Sequence, residues 1–180
     1  KEEDVAYRCI NPLCPAQMER GLLHFSSREA MDIEGMGESV VNQLVALNLV
    51  SNFADIYKLT QDDLLRLELF KDKKAHNLLN EIQNSKTKSL SRLVYGLGIR
   101  HVGQKAAYVL AGRFKTMDNI MAAKKEDFEA ISEVGEVVAQ SLVNYFTLPQ
   151  TKKLIEVLRV SGVNLKEGLR KINVTSLAGK

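Results

Sequence analysis

Apolar residues recur along most of this chain at helical spacing, and no stretch alternates with the period of two that a strand would need. Leu154, Ile155 and Leu158 share one helix face, which Pro149 is placed to start and Gly162 to end. Read this way, the chain predicts about ten short helices of ordinary length, an all-α fold. Ser26-x-x-Glu29 and Thr147-x-x-Gln150 both have the form of a capping box at a helix start. Residues 1–25 differ in kind: they hold both cysteines and two of the three prolines, and show little helical periodicity. Residues 166–180 are small and polar, and read as a linker or tail. The helical domain is expected between them, over residues 26–165.

Four short segments align without gaps: Ile33-Glu34-Gly35-Met36-Gly37, Leu67-Glu68-Leu69-Phe70-Lys71, Ile99-Arg100-His101-Val102-Gly103 and Ile131-Ser132-Glu133-Val134-Gly135. Their third positions lie 34, 32 and 32 residues apart. The shared pattern is apolar, polar, Gly-like, apolar, Gly-like, and four residues on stands Val41, Ala75, Ala107 or Ala139. A longer period is superimposed, because Ile56, Leu64 and Leu67 match Ile120, Phe128 and Ile131 at a shift of 64 residues. The chain therefore looks like a pair of motifs that has been duplicated.

Glycines flanking one apolar residue permit a tight reversal, and a helix starting there points free backbone N–H groups outward. Such a turn can hold a phosphate oxygen, assisted by the helix dipole. It contacts backbone rather than bases, so it implies sequence-independent binding of nucleic acid. The plainer alternative, for any single copy, is an ordinary turn. The copies differ. The first has Gly35 and Gly37 but lies among Asp32, Glu34 and Glu38. The second lacks both glycines, and its Lys71, Lys73 and Lys74 would act as point charges. The third joins Gly103 to Arg100, His101 and Lys105, which makes it the best candidate. The fourth keeps Gly135 beside Glu133 and Glu136, where packing rivals anion binding.

The formal net charge is only +3, but its distribution is uneven. Residues 86–125 carry nine Lys or Arg against one acid, Asp118, whereas residues 26–70 carry three basic and eight acidic side chains. A cationic middle suggests one basic face and a polyanionic partner. Aromatics are only 6% with no Trp, which disfavours a stacking platform for single strands. No apolar run is long enough to span a membrane, and the polar first residues resemble neither a secretory signal nor a transit peptide.

Cys9 and Cys14 stand on a Pro-containing turn with the reach of one half of a tetrahedral zinc site; two free thiols are the alternative. His24 is the only histidine nearby.

Together these strings resemble a C-terminal piece of the bacterial NAD-dependent DNA ligase family. Cys9-Ile-Asn-Pro-Leu-Cys-Pro-Ala-Gln17 is similar to the second half of that family's four-cysteine zinc finger. The run from His24 through Ile33-Glu34-Gly35-Met36-Gly37 resembles the passage from the finger into its first helix-hairpin-helix motif, and Leu97-Gly98-Ile99-Arg100-His101-Val102-Gly103 resembles the third. The likeness extends over about residues 7–165. It implies a truncated zinc-finger segment over residues 1–25, with zinc held half-way by Cys9 and Cys14. Four tandem helix-hairpin-helix motifs would follow, gripping the minor groove of nicked duplex DNA, and residues 166–180 would lead toward a BRCT domain. It also implies a parent enzyme with adenylation and OB domains, at work in bacterial replication and repair in the cytoplasm at the nucleoid. That parent seals nicks through an adenylated lysine, using NAD and a divalent metal. The nucleophile's Lys-x-Asp-Gly motif is absent here, and Lys71-Asp72-Lys73 does not supply it, so the chain is expected to be catalytically silent alone. Two other functions compete. One is a protein-interaction scaffold docking through the acidic segments 26–70 and 126–148. The other is a free-standing enzyme such as a glycosylase, for which no paired base and nucleophile stands out.

Overall fold

The computed structural model describes residues 15–168, which form ten α-helices and one 3-10 helix around a continuous apolar core. The first half contains α1 (Pro15–Ser26), α2 (Glu38–Ala46), the 3-10 helix Phe53–Lys58, α3 (Gln61–Leu65) and α4 (Asp72–Ser85). The second contains α5 (Leu90–Gly96), α6 (Gln104–Phe114), α7 (Met117–Ala122), α8 (Lys125–Glu129) and α9 (Glu136–Thr147), and α10 (Pro149–Val160) follows. The only β-pairing among the described residues is an isolated bridge between Thr116 and Lys166.

The duplication is visible element by element. The 3-10 helix begins at Phe53 and α7 at Met117, α3 at Gln61 and α8 at Lys125, in each case 64 residues apart. The paired apolar positions Ile56 and Ile120, Leu64 and Phe128, Leu67 and Ile131 are all buried. Each long helix turns one stripe inward: Ala75, Leu78 and Ile82 in α4, Ala107, Leu110 and Ala111 in α6, and Ala139, Leu142 and Phe146 in α9. The small or branched residue four positions past each repeat, Val41, Ala75, Ala107 or Ala139, is fully buried. The helices carrying Ala75, Ala107 and Ala139 pack on the element before them, α4 on α3, α6 on α5 and α9 on α8.

The halves are fastened together along several lines. α1 packs on α2 and on α5, and α10 packs on α9 and on the 3-10 helix. Lys88 pairs with Asp32 at 3.1 Å, and the Arg92 guanidinium donates to the carbonyls of Arg28 and Ala30. At the end of α10, Gly162 takes φ +85, Val163 donates to the Leu158 carbonyl and Gly162 to that of Arg159, the pattern of a Schellman stop. The chain then runs back as a strap. The Asn164 amide donates to Lys86, Met117 donates to Leu165, and Glu167 donates to Lys115, so residues 166 and 167, expected in a tail, are hydrogen-bonded to the domain.

Three local expectations are corrected. Helical periodicity is not lacking in all of residues 1–25: Pro15–Ser26 is helical, with Leu22 and Phe25 wholly buried and Met18 packed beside them. Ser26 does not cap a helix. It is the last residue of α1, and its buried hydroxyl has no hydrogen-bond partner among the described residues. Thr147 does not cap α10 either; it is the last residue of α9, and its hydroxyl donates back to the carbonyls of Val143 and Asn144. Leu148 alone separates α9 from α10, and Pro149 occupies the first turn, as its fixed φ favours.

Candidate nucleic-acid interface

The four aligned segments fold to one hydrogen-bond pattern. In each, the fourth residue donates to the carbonyl of the first: Met36 to Ile33, Phe70 to Leu67, Val102 to Ile99 and Val134 to Ile131, at 2.9–3.3 Å. In each, the first helical bond then runs back to the fifth residue: Val41 to Gly37, Ala75 to Lys71, Ala107 to Gly103 and Ala139 to Gly135, all at 3.0 Å. The apolar residue between them is buried in every copy. It is the pin that holds the turn to the core.

The third positions differ in conformation. Gly35 has φ +92, Leu69 +63 and His101 +66, a region glycine enters freely and branched side chains rarely do. Glu133 does not adopt it. The fifth positions, by contrast, agree. Gly37, Lys71, Gly103 and Gly135 are all extended N-cap residues with φ between −78 and −120. A methyl group at Gly37, Gly103 or Gly135 would meet nothing within 4 Å, and Lys71 has the same backbone with a full side chain. Nothing inside the fold therefore requires glycine at these caps.

None of these four caps makes a side-chain hydrogen bond to its helix. The opening amides of α2, α4, α6 and α9 thus have no partner among the described residues. Three other helix starts are closed by a capping side chain, whereas α8 and α10 have none. Asn52 accepts from Asp55, Thr60 from Asp63 and Thr116 from Asn119, while Asp127 accepts from the Lys124 amide. In α5 the Ser91 amide donates to Glu167. Open amides backed by a helix dipole suit an anion oxygen.

The charged groups sort the four turns. Around the third, Arg100, His101, Gly103 and Lys105 are all exposed, with no ion pair to another described residue. Lys71, Lys73 and Lys74 are exposed at the start of α4, and the Lys74 ammonium lies 4.4 Å from the centre of the Phe70 ring. At the fourth turn Lys125 reaches Glu136 at 3.1 Å and Glu129 at 3.5 Å, and these carboxylates hold its ammonium above the ordinary lysine range. The first turn exposes Glu34 and Glu38 beside Gly35 and Gly37.

Four of the nine cations in the stretch 86–125 are engaged within the fold. Lys86 lies over Tyr57, Lys88 pairs with Asp32, Arg92 holds two carbonyls and Lys125 holds two carboxylates. Arg100, Lys105, Arg113, Lys115 and Lys124 remain exposed. Sequence reasoning passed over Leu69, marking it only as a lost glycine; it is 90% exposed at the tip of the second turn. Cys9 and Cys14 lie outside the described residues. His24 donates or accepts at Nε2 against the Tyr95 carbonyl, 2.8 Å away, so that nitrogen is already engaged in the fold. No group of three or more metal-ligating side chains occurs among the described residues, nor is any described helix long and apolar enough to cross a membrane.

Residues 92–155, which span the third and fourth turns, match the family model for the helix-hairpin-helix motif. Curated bacterial relatives carry the name DNA ligase. One from Bacillus cytotoxicus is 50% identical over 98% of this chain and 27% of its own length. One from Bacillus cereus is 52% identical over 92% of this chain and 25% of its own, and one from Lactobacillus helveticus 51% identical over 91% and 25%. The chain thus spans about a quarter of the length of these relatives. At half identity over nearly all its residues, it belongs to the family of the bacterial DNA ligases, as a helical segment carrying helix-hairpin-helix structure.

Proposed function

We propose that this chain is the duplex-gripping part of a DNA ligase, binding nicked double-stranded DNA through its phosphates without regard to base sequence. The observation that carries this is the contrast between helix starts. Four starts, each behind the same turn, leave their amides open, while Asn52, Thr60 and Thr116 close the starts of the 3-10 helix, α3 and α7. All four turns act as helix-hairpin-helix motifs along the minor groove in this reading. Gly35, Gly37, Gly103 and Gly135 let the phosphate chain approach, and Lys71, Lys73, Lys74, Arg100, His101 and Lys105 add donors and charge. The third turn bears most of the contact, because its cations are exposed and unopposed.

The parent enzyme would seal the nick with NAD and a divalent metal on adenylation and OB domains beyond this chain, with a BRCT domain further on. Cys9 and Cys14 would give one half of a zinc finger that the parent completes. The role of the present segment is to hold the duplex so that the distant active site closes around the break.

The test is a salt titration of binding to nicked and intact duplexes of unrelated sequence. Affinity should fall steeply and equally for all sequences, because phosphate contacts release counterions. Arg100→Ala with Lys105→Ala should reduce the slope of log K against log salt by about 2. Affinity that is flat in salt, or loss confined to some sequences, would count against the proposal.

A further inference from the structure

Leu69 departs from the chemistry around it. Its side chain is 90% exposed, its backbone sits at φ +63, and the equivalent residues of the other turns are Gly35, His101 and Glu133. A branched aliphatic residue at positive φ is disfavoured, and here burial returns nothing for it. Nor is the tip loose. Phe70 is buried below it and donates to the Leu67 carbonyl, and the neighbouring Glu68 amide donates to Gln43 of α2 at 2.6 Å. The turn therefore holds one apolar group outward in a fixed position.

What surrounds it indicates the occupant. Arg66, Lys71, Lys73 and Lys74 are exposed within five residues, against the acids Glu68 and Asp72, and Asp72 already accepts from Gln61. An aliphatic tip ringed mostly by cations complements a surface that is anionic at its edges and apolar between them. The minor groove of DNA has that form, with phosphates along its rims and the carbon faces of deoxyribose on its walls. Ribose places a hydroxyl on the same walls. Resting on the duplex-binding reading above, we propose that Leu69 enters the minor groove against deoxyribose and so selects DNA over strands containing ribose.

The experiment uses the 180-residue chain, a fluorescent all-DNA duplex, and the same duplex with one strand replaced by RNA. Leu69→Asn keeps a residue that tolerates positive φ but removes the apolar tip. Leu69→Met keeps the tip apolar. The wild type should prefer the all-DNA duplex. Leu69→Asn should lose about five- to tenfold on DNA and much less on the hybrid, so that the preference collapses. Its salt slope should stay unchanged, since no charge is removed. Leu69→Met should retain the preference. The inference is overturned if the wild type binds both duplexes alike, or if Leu69→Asn binds DNA as the wild type does. It is equally overturned if that variant weakens on both duplexes by the same factor. A wild type with no affinity for DNA at low salt would instead defeat the duplex-binding reading, and this inference with it.

Discussion

At Gly103 the backbone is extended, with φ −85, and an added methyl group would touch nothing within 4 Å. Glycine there serves neither a strained turn nor a close packing contact, and under the proposed function its reason is the approaching phosphate. Gly103→Ser separates the two sides of this argument. The extended cap suits serine, whose hydroxyl would accept an amide of α6 and close the helix start. Stability should rise by roughly a few tenths of a kcal/mol, while affinity for duplex DNA falls about tenfold or more as the hydroxyl takes the donor a phosphate needs. Parallel thermal melts and binding curves check both signs; unchanged affinity in a stabilised variant would remove the phosphate role from this turn. Gly35 is a different case, since its φ of +92 gives it a conformational reason within the chain. The glycine spacing was legible in the sequence, whereas this distinction was not, because φ values and the empty space around an absent Cβ exist only in the fold.

Among the helices, the informative contrast lies between closed and open starts. The 3-10 helix is closed by a small network in which Asn52 accepts from Asp55, and the Asp55 carboxylate accepts from the Ser51 amide and hydroxyl, with Lys58 close by. Burial pushes the Asp55 carboxyl up, but the hydrogen bonds from Ser51 and the Lys58 ammonium outweigh it and hold the group below its ordinary 3.8. A carboxyl depressed in the folded state contributes stability above its unfolded value and loses it as pH falls through the folded one. Melting temperature should therefore drop as pH falls below about 4, and Asp55→Asn should flatten that part of the profile while lowering stability at neutral pH. Equal acid slopes for both proteins would contradict this. The capping boxes expected at Ser26 and Thr147 show why short motifs mislead at this scale. Ser26 and Thr147 each end a helix rather than beginning one.

Taken whole, the described chain has a continuous core, and the strap after α10 ties the link between the halves, at Lys86 and Lys88, to Lys115 and Met117 of the second. Asn164 is its centre: its side-chain amide donates to the carbonyls of Lys88 and Lys166, and its oxygen accepts from the Lys166 amide. Asn164→Ala should cost about 1–3 kcal/mol, the range for leaving such groups unpaired, without dividing the unfolding into two transitions. Differential calorimetry can check both the cost and the single transition, and a split endotherm would mean that the halves fold separately.

The helical class, the four aligned turns and the 64-residue duplication were already present in the order of residues, because periodic burial and turn chemistry are local properties that the chain carries wherever it folds. Tertiary structure alone decided which cations stay available. Lys88, Arg92 and Lys125 are consumed by partners distant in sequence or across a turn, while Arg100 and Lys105 are left exposed. It likewise decided which helix starts are open and that Leu69 projects from its turn. The physical reason is the same in each case: a charge, an amide or an apolar side chain is defined by what sits within a few ångströms of it, and those neighbours come from other parts of the chain.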